Sequence, residues 1–389
     1  MRLWHPDGTA VHLSYGTNVH PAESLAGIMA QLDTYAAPVR RLLGWDRLGL
    51  GLWLAADVAA GLAADPAAVR RLRAELDARG LEVVTLNAFP YRGFHDDVVK
   101  HAVYLPTWTQ PQRARYTLDC ATVLAGLLPD EAEGGSISTL PLGWREPWTP
   151  ADDEAALWAF AAVVDGLGRL ERPIRIAIEP EPGCVFDEMG DAVRWLRGRV
   201  DPQYVGVCLD TCHLAVSFAD PWSTVESVLA AGLSVTKVQA SAALHVAEPH
   251  TEQAREALAA FAEPRYLHQV RAGARPADDL PEALAELPDD RPWRVHFHVP
   301  LHWSPAPAGP GGTPPLTATT DVLAASLRAL YGGRRALSPH VEVETYTWGV
   351  LPPHARPAGE AGLVAGIAAE LRHAYDLLVH SGLSKGDRT

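Results

Sequence analysis

Two stretches decide the fold: residues 174–181 read IRIAIEPE, and residues 205–213 read VGVCLDTCH. Each begins with a short run rich in Val, Ile or Leu, which is typical of a parallel strand covered on both faces. Each run ends directly in acidic residues. A carboxylate at the end of a buried strand is costly unless something compensates its charge. The two stretches therefore predict a parallel sheet with a functional site at its strand ends.

Similar strands recur along the chain, and helical segments separate most of them. This alternation, repeated about eight times, predicts a single (β/α)₈ barrel, an α/β fold. An open doubly wound sheet is the alternative, but it normally carries a glycine-rich turn after its first strand, and none is present. The candidate strands are Val11–Gly16, Leu48–Leu54, Leu81–Phe89, Ser136–Leu142, Ile174–Glu179, Val205–Asp210, Val235–Ala240, Arg294–Val299 and Val341–Thr345.

Nine candidates are one too many for this barrel. We expect residues 241–340 to form a long excursion between strands seven and eight, with Arg294–Val299 as an extra strand that pairs with Tyr266–Arg271. Ser304–Pro315 (SPAPAGPGGTPP) reads as a Pro/Gly-rich loop, a solvated linker or a functional lid. The barrel domain is then 1–383, and 384–389 is a disordered tail.

Composition excludes several classes of partner. The 389 residues are 48% hydrophobic and 21% charged, and the formal net charge is −14 without any Lys/Arg run. This balance argues against nucleic acid or an anionic membrane surface. No apolar run approaches the ~20 residues of a membrane helix. Four cysteines without a disulfide pattern and an N-terminus unlike a signal peptide lead us to expect a cytoplasmic protein that binds a small molecule.

Acidic residues end three strands of the second half of the chain. They are Glu179, Asp210 and Glu344, and Gln239 lies on the strand between the last two. On a barrel these strand ends converge, and three neighbouring carboxylates would repel one another unless a cation compensates them. The pattern predicts a divalent metal site. Oxygen ligands with an amide favour Mn²⁺ or Mg²⁺, and nearby histidines would also suit Zn²⁺, Co²⁺ or Fe²⁺.

Each residue taken alone also has a purely structural interpretation. Glu179 could be a salt-bridge partner, Asp210 could cap the next helix, and His213 could be a satisfied polar residue. Glu342 and Glu344 share a strand face, so one of them could be deeper and paired structurally. Only their joint occurrence at the predicted catalytic rim favours a metal site.

Three histidines of the excursion are further candidates. His268 stands in Tyr-Leu-His-Gln, and His296 and His298 stand in Val-His-Phe-His, where they share one strand face. With His213 they are possible ligands of a second metal or of a substrate. Whether they reach the barrel site does not follow from their spacing.

The strand ends resemble the metal-binding strand ends of the xylose-isomerase-like barrels, which include sugar and sugar-phosphate isomerases and epimerases and the metal-dependent AP endonucleases. The resemblance implies that Glu179, Asp210, Gln239 and Glu344 bind the primary metal and that His213 lies beside the substrate or a second metal. One departure stands out, because the third position is often His and is Gln239 here.

A further resemblance covers nearly the whole chain. Leu13–Pro21, Leu86–Tyr91, Tyr104–Trp108 and Val343–Trp348, with the histidine motifs of the excursion, resemble EboE proteins of the bacterial Ebo cluster. These are described as metabolite-traffic proteins and are associated with secondary metabolites or their precursors. This resemblance implies a pathway rather than a reaction.

The combined expectation is an enzyme on a small polyhydroxylated or keto-containing metabolite. Glu179 and Glu344 would remove and return a proton next to a carbonyl, and His213 would orient a substrate oxygen. Two alternatives stay open. One is metal-dependent phosphoester hydrolysis, which would use the extra histidines for a second metal. The other is a barrel that binds and hands over a metabolite unchanged.

Overall fold

Eight parallel strands close into a barrel, which confirms the predicted fold class. The computed structural model describes residues 1–304 and 314–386, so the predicted loop at 304–315 lies mostly outside the described residues. In these residues the strands are β1 (Arg2–Trp4), β2 (Ala10–Gly16), β3 (Leu48–Trp53), β4 (Leu81–Asn87), β5 (Gly135–Thr139), β6 (Ile174–Ile178), β7 (Val205–Asp210), β8 (Val235–Ala240), β9 (Leu244–Val246), β10 (Val270–Ala272), β11 (Arg275–Ala277), β12 (Trp293–Val295), β13 (Thr317–Ala318) and β14 (His340–Val343).

Helices surround the barrel and connect its strands. They are α1 (Leu25–Gln31), α2 (Ala37–Leu43), α3 (Ala56–Ala64), α4 (Pro66–Ala78), α5 (Pro111–Leu127), α6 (Pro150–Leu167), α7 (Met189–Leu196), α8 (Thr211–Val216), α9 (Pro221–Ala230), α10 (Glu252–Ala259), α11 (Leu280–Glu286), α12 (Thr320–Tyr331) and α13 (Gly359–His380), with 3-10 turns at Thr17–Val19, Lys100–Tyr104 and Tyr346–Gly349 and a π-helical turn at Leu32–Ala36. None of the helices described here combines the length and apolar composition needed to cross a membrane.

Barrel closure follows from the strand pairing. The parallel order is β2-β3-β4-β5-β6-β7-β8-β14, and β14 pairs again with β2. β1 adds to β2 as an antiparallel edge strand. The barrel strands are buried along almost their whole length because helices cover the outside and side chains fill the inside. Their carboxyl ends therefore meet at one rim.

The excursion after β8 differs from the expected single extra strand. It contains a five-stranded antiparallel sheet in the order β11-β10-β12-β9-β13. The expected pairing of the extra strand occurs, with Val270 opposite Val295 and Arg271 opposite Arg294. These strands have only two or three residues each, which is too short for a period-two pattern to reveal them.

The predicted tail also differs at its start. Trp4 donates its backbone N–H to the Ser384 carbonyl (2.7 Å), and Ser384 donates to the Trp4 carbonyl (2.9 Å). Residue 384 is thus hydrogen-bonded to strand β1, whereas the prediction made it the first residue of the disordered tail. Residues 387–389 lie outside the described part of the chain.

Gly51 of β3 leaves space for a buried glutamate inside the barrel. A Cβ atom at this position would lie 1.2 Å from Glu342 Oε2 and 2.2 Å from its Cδ. The Glu342 side chain is fully buried, so it has little room to move aside. A glycine is needed here because any side chain would occupy the place of this carboxylate.

We predict that Gly51→Ala lowers the free energy of unfolding by about 1–3 kcal/mol or more, the usual cost of overpacking a core. Urea unfolding of the metal-free protein measures it. Gly61→Ala is the matched control, because Gly61 is exposed in α3 and its Cβ would meet open space. The control should be neutral or stabilising by up to about 1 kcal/mol. Equal effects of the two substitutions would contradict the packing argument.

Candidate metal centre

Three carboxylates meet at the carboxyl-end rim of the barrel. Glu179 directly follows β6, Asp210 ends β7 and Glu344 directly follows β14. Each residue is at most 4% exposed. One oxygen from each lies within 4.8 Å of the other two, a spacing that could hold a metal ion. The structure thus brings together the three acidic residues that the sequence placed at converging strand ends.

The hydrogen bonds around this cluster leave oxygens free for a cation. Glu179 Oε2, Asp210 Oδ2 and both amide atoms of Gln239 are buried without a hydrogen-bond partner among the described residues. Gln239 lies beside Asp210 in the β7–β8 register, so the two side chains project to the same face of the sheet. Buried polar atoms are normally satisfied. These unpartnered atoms suit a divalent ion that prefers oxygen ligands.

Other polar groups orient the carboxylates. Asn18 and Asn87 each donate an amide N–H to Glu344 Oε1, both at 2.8 Å. Asp210 Oδ1 accepts from the His213 backbone N–H (2.9 Å) and from Ser241 Oγ (2.8 Å). Asp210 therefore caps α8, as the structural interpretation of this residue suggested, and keeps its second oxygen free.

Burial and mutual repulsion keep protons on the cluster. Burial raises the pKa of Glu179 well above its ordinary value, and the charges of Glu344 and Asp210 raise it further. Burial likewise raises the pKa of Glu344, with Asp210 and Glu342 adding to the effect. The ionised form of such a group is stabilised by a nearby positive charge or by hydrogen-bond donors.

Glu342 is the deeper of the two glutamates on the last barrel strand. Its Oε1 lies 3.1 Å from Lys237 Nζ, and both side chains are fully buried. Lys237 also donates to Ser138 Oγ (3.1 Å) and to the Leu86 carbonyl (3.3 Å). Burial disfavours the ammonium, but nearby negative groups, Glu342 first, outweigh this and raise the pKa of Lys237. The sequence did not decide which of the two glutamates is paired structurally. The structure gives this role to Glu342.

Three of the four candidate histidines reach the centre. His213 Nε2 lies 3.9 Å from Asp210 Oδ1, and His298 Nε2 lies 4.0 Å from Asp210 Oδ2. His296 Nε2 lies 3.0 Å from His213 Nε2. Burial lowers the pKa of His298 to about 4, and it lowers the pKa of His296 well below its ordinary value.

His268 does not reach the carboxylates. Its Nε2 is 2.8 Å from Glu263 Oε1 and its Nδ1 is 2.9 Å from the His296 carbonyl. The ring stacks on Phe297. Both nitrogens are thus used within the inserted sheet, so His268 supports that sheet behind the site.

A buried series of hydrogen-bonded polar side chains, on the other side of the histidines, was not predicted from the sequence. Tyr104 donates to Glu181 Oε1 (2.6 Å), and Gln269 Nε2 donates to the Tyr104 hydroxyl (3.0 Å). Burial raises the pKa of Glu181. Only the Glu179-Pro-Glu181 spacing could have indicated this hydrogen-bonded series, since Tyr104 and Gln269 lie far from it in sequence.

A pocket opens above the carboxylates. Its lining combines Glu179, Glu181, Glu344 and the three histidines with an apolar wall that includes Phe94, Tyr266 and Tyr346. Lys100 also lines it, and its Nζ lies 2.5 Å from Asp279 Oδ2. The pocket therefore joins an acidic floor to aromatic walls.

A sequence model described as xylose isomerase-like TIM barrel matches residues 43–255, more than half of the chain. The chain belongs to the xylose isomerase-like TIM barrel family. Within this family match lie Glu179, Asp210 and Gln239, whereas His296, His298 and Glu344 follow it in sequence. No protein with a curated description matches the sequence.

Solved structures with this family's fold cover nearly the whole chain. D-psicose 3-epimerase from Clostridium cellulolyticum H10, with D-tagatose, has a TM-score of 0.51 and 13% identity over 95% of this chain and 99% of its own. A protein from Anabaena variabilis ATCC 29413, described as a sugar phosphate isomerase/epimerase, has a TM-score of 0.51 and 13% identity over 96% and 99%. At such identities the likeness establishes the fold alone.

We predict that Lys237→Met destabilises the metal-free protein by about 3–5 kcal/mol, because it leaves Glu342 buried without a counter-charge. Adding Glu342→Gln should recover much of this loss, because the uncompensated charge disappears. Urea unfolding of the two single variants and the double variant completes the cycle. Additive losses in the double variant would show that the two side chains do not interact.

The raised pKa of Glu179 also predicts a pH dependence. A carboxyl group whose pKa is raised on folding contributes stability below its unfolded pKa, and that stability is lost as pH rises through the folded pKa. From pH 6.5 to 8 in EDTA, the wild-type protein should lose stability relative to Glu179→Gln, by at most about 1.4 kcal/mol per pH unit for one proton. His296 and His298 are present in both proteins, so the pH dependence that they contribute cancels in the difference between wild type and Glu179→Gln. Parallel unfolding curves against pH would contradict it.

Proposed function

We propose that this chain is a divalent-metal-dependent isomerase or epimerase that acts on a small polyhydroxylated or keto-containing metabolite. The observation that carries the proposal is the buried cluster of Glu179, Asp210 and Glu344, whose oxygens lie within 4.8 Å of one another and are partly unpartnered. Such a cluster is stable only with a cation or with bound protons. It lies at the strand-end rim, where barrels of this kind carry their active sites.

The fold supports the type of reaction without deciding the substrate. D-psicose 3-epimerases with D-tagatose and with D-fructose share it, at TM-scores of 0.51. Those proteins are named for an epimerisation, in which one carbon centre changes its configuration. We propose the same class of reaction here, because two glutamates stand beside one proposed metal position.

Glu179, Asp210, Gln239 and Glu344 would hold the ion. A bound divalent ion supplies positive charge that holds substrate oxygens and stabilises the negative charge that develops when a proton leaves. Mn²⁺, Mg²⁺, Zn²⁺ and Fe²⁺ all fit oxygen donors of this kind, and the amide of Gln239 in place of an imidazole favours the harder ions.

Glu179 and Glu344 would move the proton. One carboxylate takes it from the carbon next to the substrate carbonyl, and the other carboxyl group returns a proton to that carbon or its neighbour. Asn18 and Asn87 hold Glu344 in place through their amide hydrogen bonds. His213 faces the same pocket and would orient a substrate oxygen. The aromatic wall would exclude water while the proton is in transfer.

The resemblance to EboE proteins extends the proposal to a biological setting. We propose that the substrate is a secondary metabolite or a precursor of one. The acidic floor of the pocket and the absence of any Lys/Arg run in the sequence fit a small uncharged substrate better than a nucleic acid.

The test is metal-dependent proton exchange. We expect the purified protein, loaded with Mn²⁺, to exchange a C–H of a ketohexose such as D-psicose, D-tagatose or D-fructose with D₂O, as followed by NMR. Glu179→Gln and Glu344→Gln should each slow this exchange by about 10²–10⁴-fold. Glu154→Gln, an exposed position on α6, is the control and should leave the rate unchanged.

Two results would contradict the proposal. Release of phosphate from hexose phosphates without C–H exchange would identify a hydrolase. A ligand that raises the melting temperature but is recovered unchanged, with no exchange, would identify a carrier.

A further inference from the structure

The amino ends of the barrel strands, opposite the carboxylate rim, carry an unusual number of polar side chains. Barrels of this fold usually fill their interior with layers of large branched apolar residues. Here six strands carry a polar or charged side chain within their first three residues. All except one are at most 5% exposed, and Arg175 is half-buried. In chain order the six are His12, Glu82, Ser136, Arg175, Thr236 and His340.

Strand register brings four of these side chains together. His340 lies opposite His12 in the β14–β2 pairing, and Ser136 lies opposite Arg175 in the β5–β6 pairing. The rings of His12 and His340 meet edge to face, with centroids 5.7 Å apart. His340 Nδ1 lies 2.8 Å from Ser136 Oγ. Residues that are far apart in sequence therefore form one polar cluster at the amino end of the barrel.

A cavity of about 270 Å³ opens beside this cluster. A buried water molecule needs only about 10–15 Å³ of such volume, so the cavity has room for a ligand of several atoms. Polar side chains line one side of it, and the indole of Trp4 on β1 forms part of the wall. The polar lining includes His12, Ser136, Arg175, Thr236 and His340.

Arg175 brings a positive charge to the cavity without an acidic partner. Its Nη2 donates to the Pro202 carbonyl (2.8 Å) and to Ser234 Oγ (2.5 Å). Its Nε is buried without a hydrogen-bond partner among the described residues. Burial lowers the pKa of Arg175, and no carboxylate raises it again. A half-buried guanidinium without a counter-charge is costly, because charges removed from water are normally paired.

The charges around His340 have the same sign. Burial lowers the pKa of His340 well below its ordinary value, and the charges of His12, Lys237 and Arg175 lower it further. No acidic side chain acts in the opposite direction. An anion in the cavity would compensate these positive charges and would accept hydrogen bonds from the imidazoles.

The acids near the cavity do not supply this compensation. Glu82 Oε2 lies 2.7 Å from Arg2 Nη2, so its charge is already paired. Glu131 and Glu133 line the cavity at exposed positions, and Glu131 Oε2 lies 3.6 Å from the same Arg2 nitrogen. Neither of these exposed acids affects the pKa of Arg175.

We propose that the amino-end cavity binds a small oxyanion, such as a phosphate group, through Arg175, His12 and His340. The planar guanidinium matches the oxygens of phosphate, and imidazole N–H and hydroxyl groups complete a set of donors. The space toward Trp4 fits the organic part of a phosphate ester. The inference goes beyond the proposed function and does not depend on it, because the carboxylates lie at the opposite ends of the strands.

The test is calorimetric titration of the metal-free protein in EDTA with inorganic phosphate, and with chloride at equal ionic strength. Calorimetry is preferable to thermal melting, because phosphate stabilises proteins in general through its exclusion from their surface. We expect saturable binding of one phosphate and none of chloride. Arg175→Gln and His340→Gln should each weaken binding by about 10–100-fold, the effect of losing a hydrogen bond to a charged group.

Arg172→Gln is the matched control. Arg172 also precedes or begins the β6 region and donates to backbone carbonyls, those of Pro129 and Ala132, but it does not line the cavity. This variant should bind phosphate as the wild-type protein does. Arg175→Lys should retain part of the affinity, because it keeps the charge and loses the planar fork.

Glycerol phosphate distinguishes two sources of the oxyanion. Tighter binding than that of inorganic phosphate, lost in Arg175→Gln, would identify a phosphate ester as the occupant. Equal binding would identify free phosphate.

A crystal structure of the wild-type protein grown with phosphate gives a readout that does not depend on the folding of a variant. We expect phosphate within hydrogen-bond distance of Arg175 and His340. Water alone in the cavity, no saturable binding, or equal affinity in wild type and Arg175→Gln would overturn the proposal. The proposed reaction is tested separately, by C–H exchange at the other end of the barrel.

Discussion

The buried ion pair between Lys237 and Glu342 is the constraint on which the interior of the barrel depends. Burying two charges is costly, and their attraction offsets that cost only with good geometry and further hydrogen bonds. Lys237 meets this condition by also donating to Ser138 and to the Leu86 carbonyl. The ammonium thus links β8 and β14 to β4 and β5 across the barrel. Gly51 of β3 completes the arrangement by leaving space for the carboxylate.

The rim above this pair concentrates carboxyl groups whose ionised forms the protein itself does not fully compensate. Lys237 lowers the electrostatic cost for Glu179 and Glu344, but their pKa values remain raised. The asparagines satisfy one oxygen of Glu344, and Ser241 satisfies one oxygen of Asp210. Glu179 Oε2 and Asp210 Oδ2 are buried and have no hydrogen-bond donor among the described residues, so a bound cation would stabilise the rim. The same residues that destabilise the metal-free barrel are those to which we assign the proposed proton transfer.

Much of the barrel could be predicted because buried parallel strands have a strong sequence signal. Two predicted strands, Val205–Asp210 and Val235–Ala240, agree with the structure residue for residue. The inserted sheet could not be found in this way, because its strands are two or three residues long. Its stability comes from pairings between segments far apart in sequence, which a local pattern does not contain.

The candidate site likewise contains some residues that could be predicted from the sequence and others that could not. Carboxylates at converging strand ends could be predicted from the fold rule alone, and the structure brings Glu179, Asp210 and Glu344 together. The histidines could be named but not placed, since whether His268 or His296 faces the rim depends on the twist of the inserted sheet. The roles of Tyr104 and Gln269 depend on single hydrogen bonds across the pocket, for which the sequence carries no local signal.

The position of Glu344 has a consequence for biosynthesis. The chain is made from its N-terminus, and at 5–20 residues per second the last barrel strand leaves the ribosome well after Glu179 and Asp210. Until β14 is inserted between β8 and β2, the barrel is open and the three carboxylates are not assembled. The complete set of ligands for the proposed metal therefore exists only after β14 has closed the barrel, and not while the earlier strands are being made.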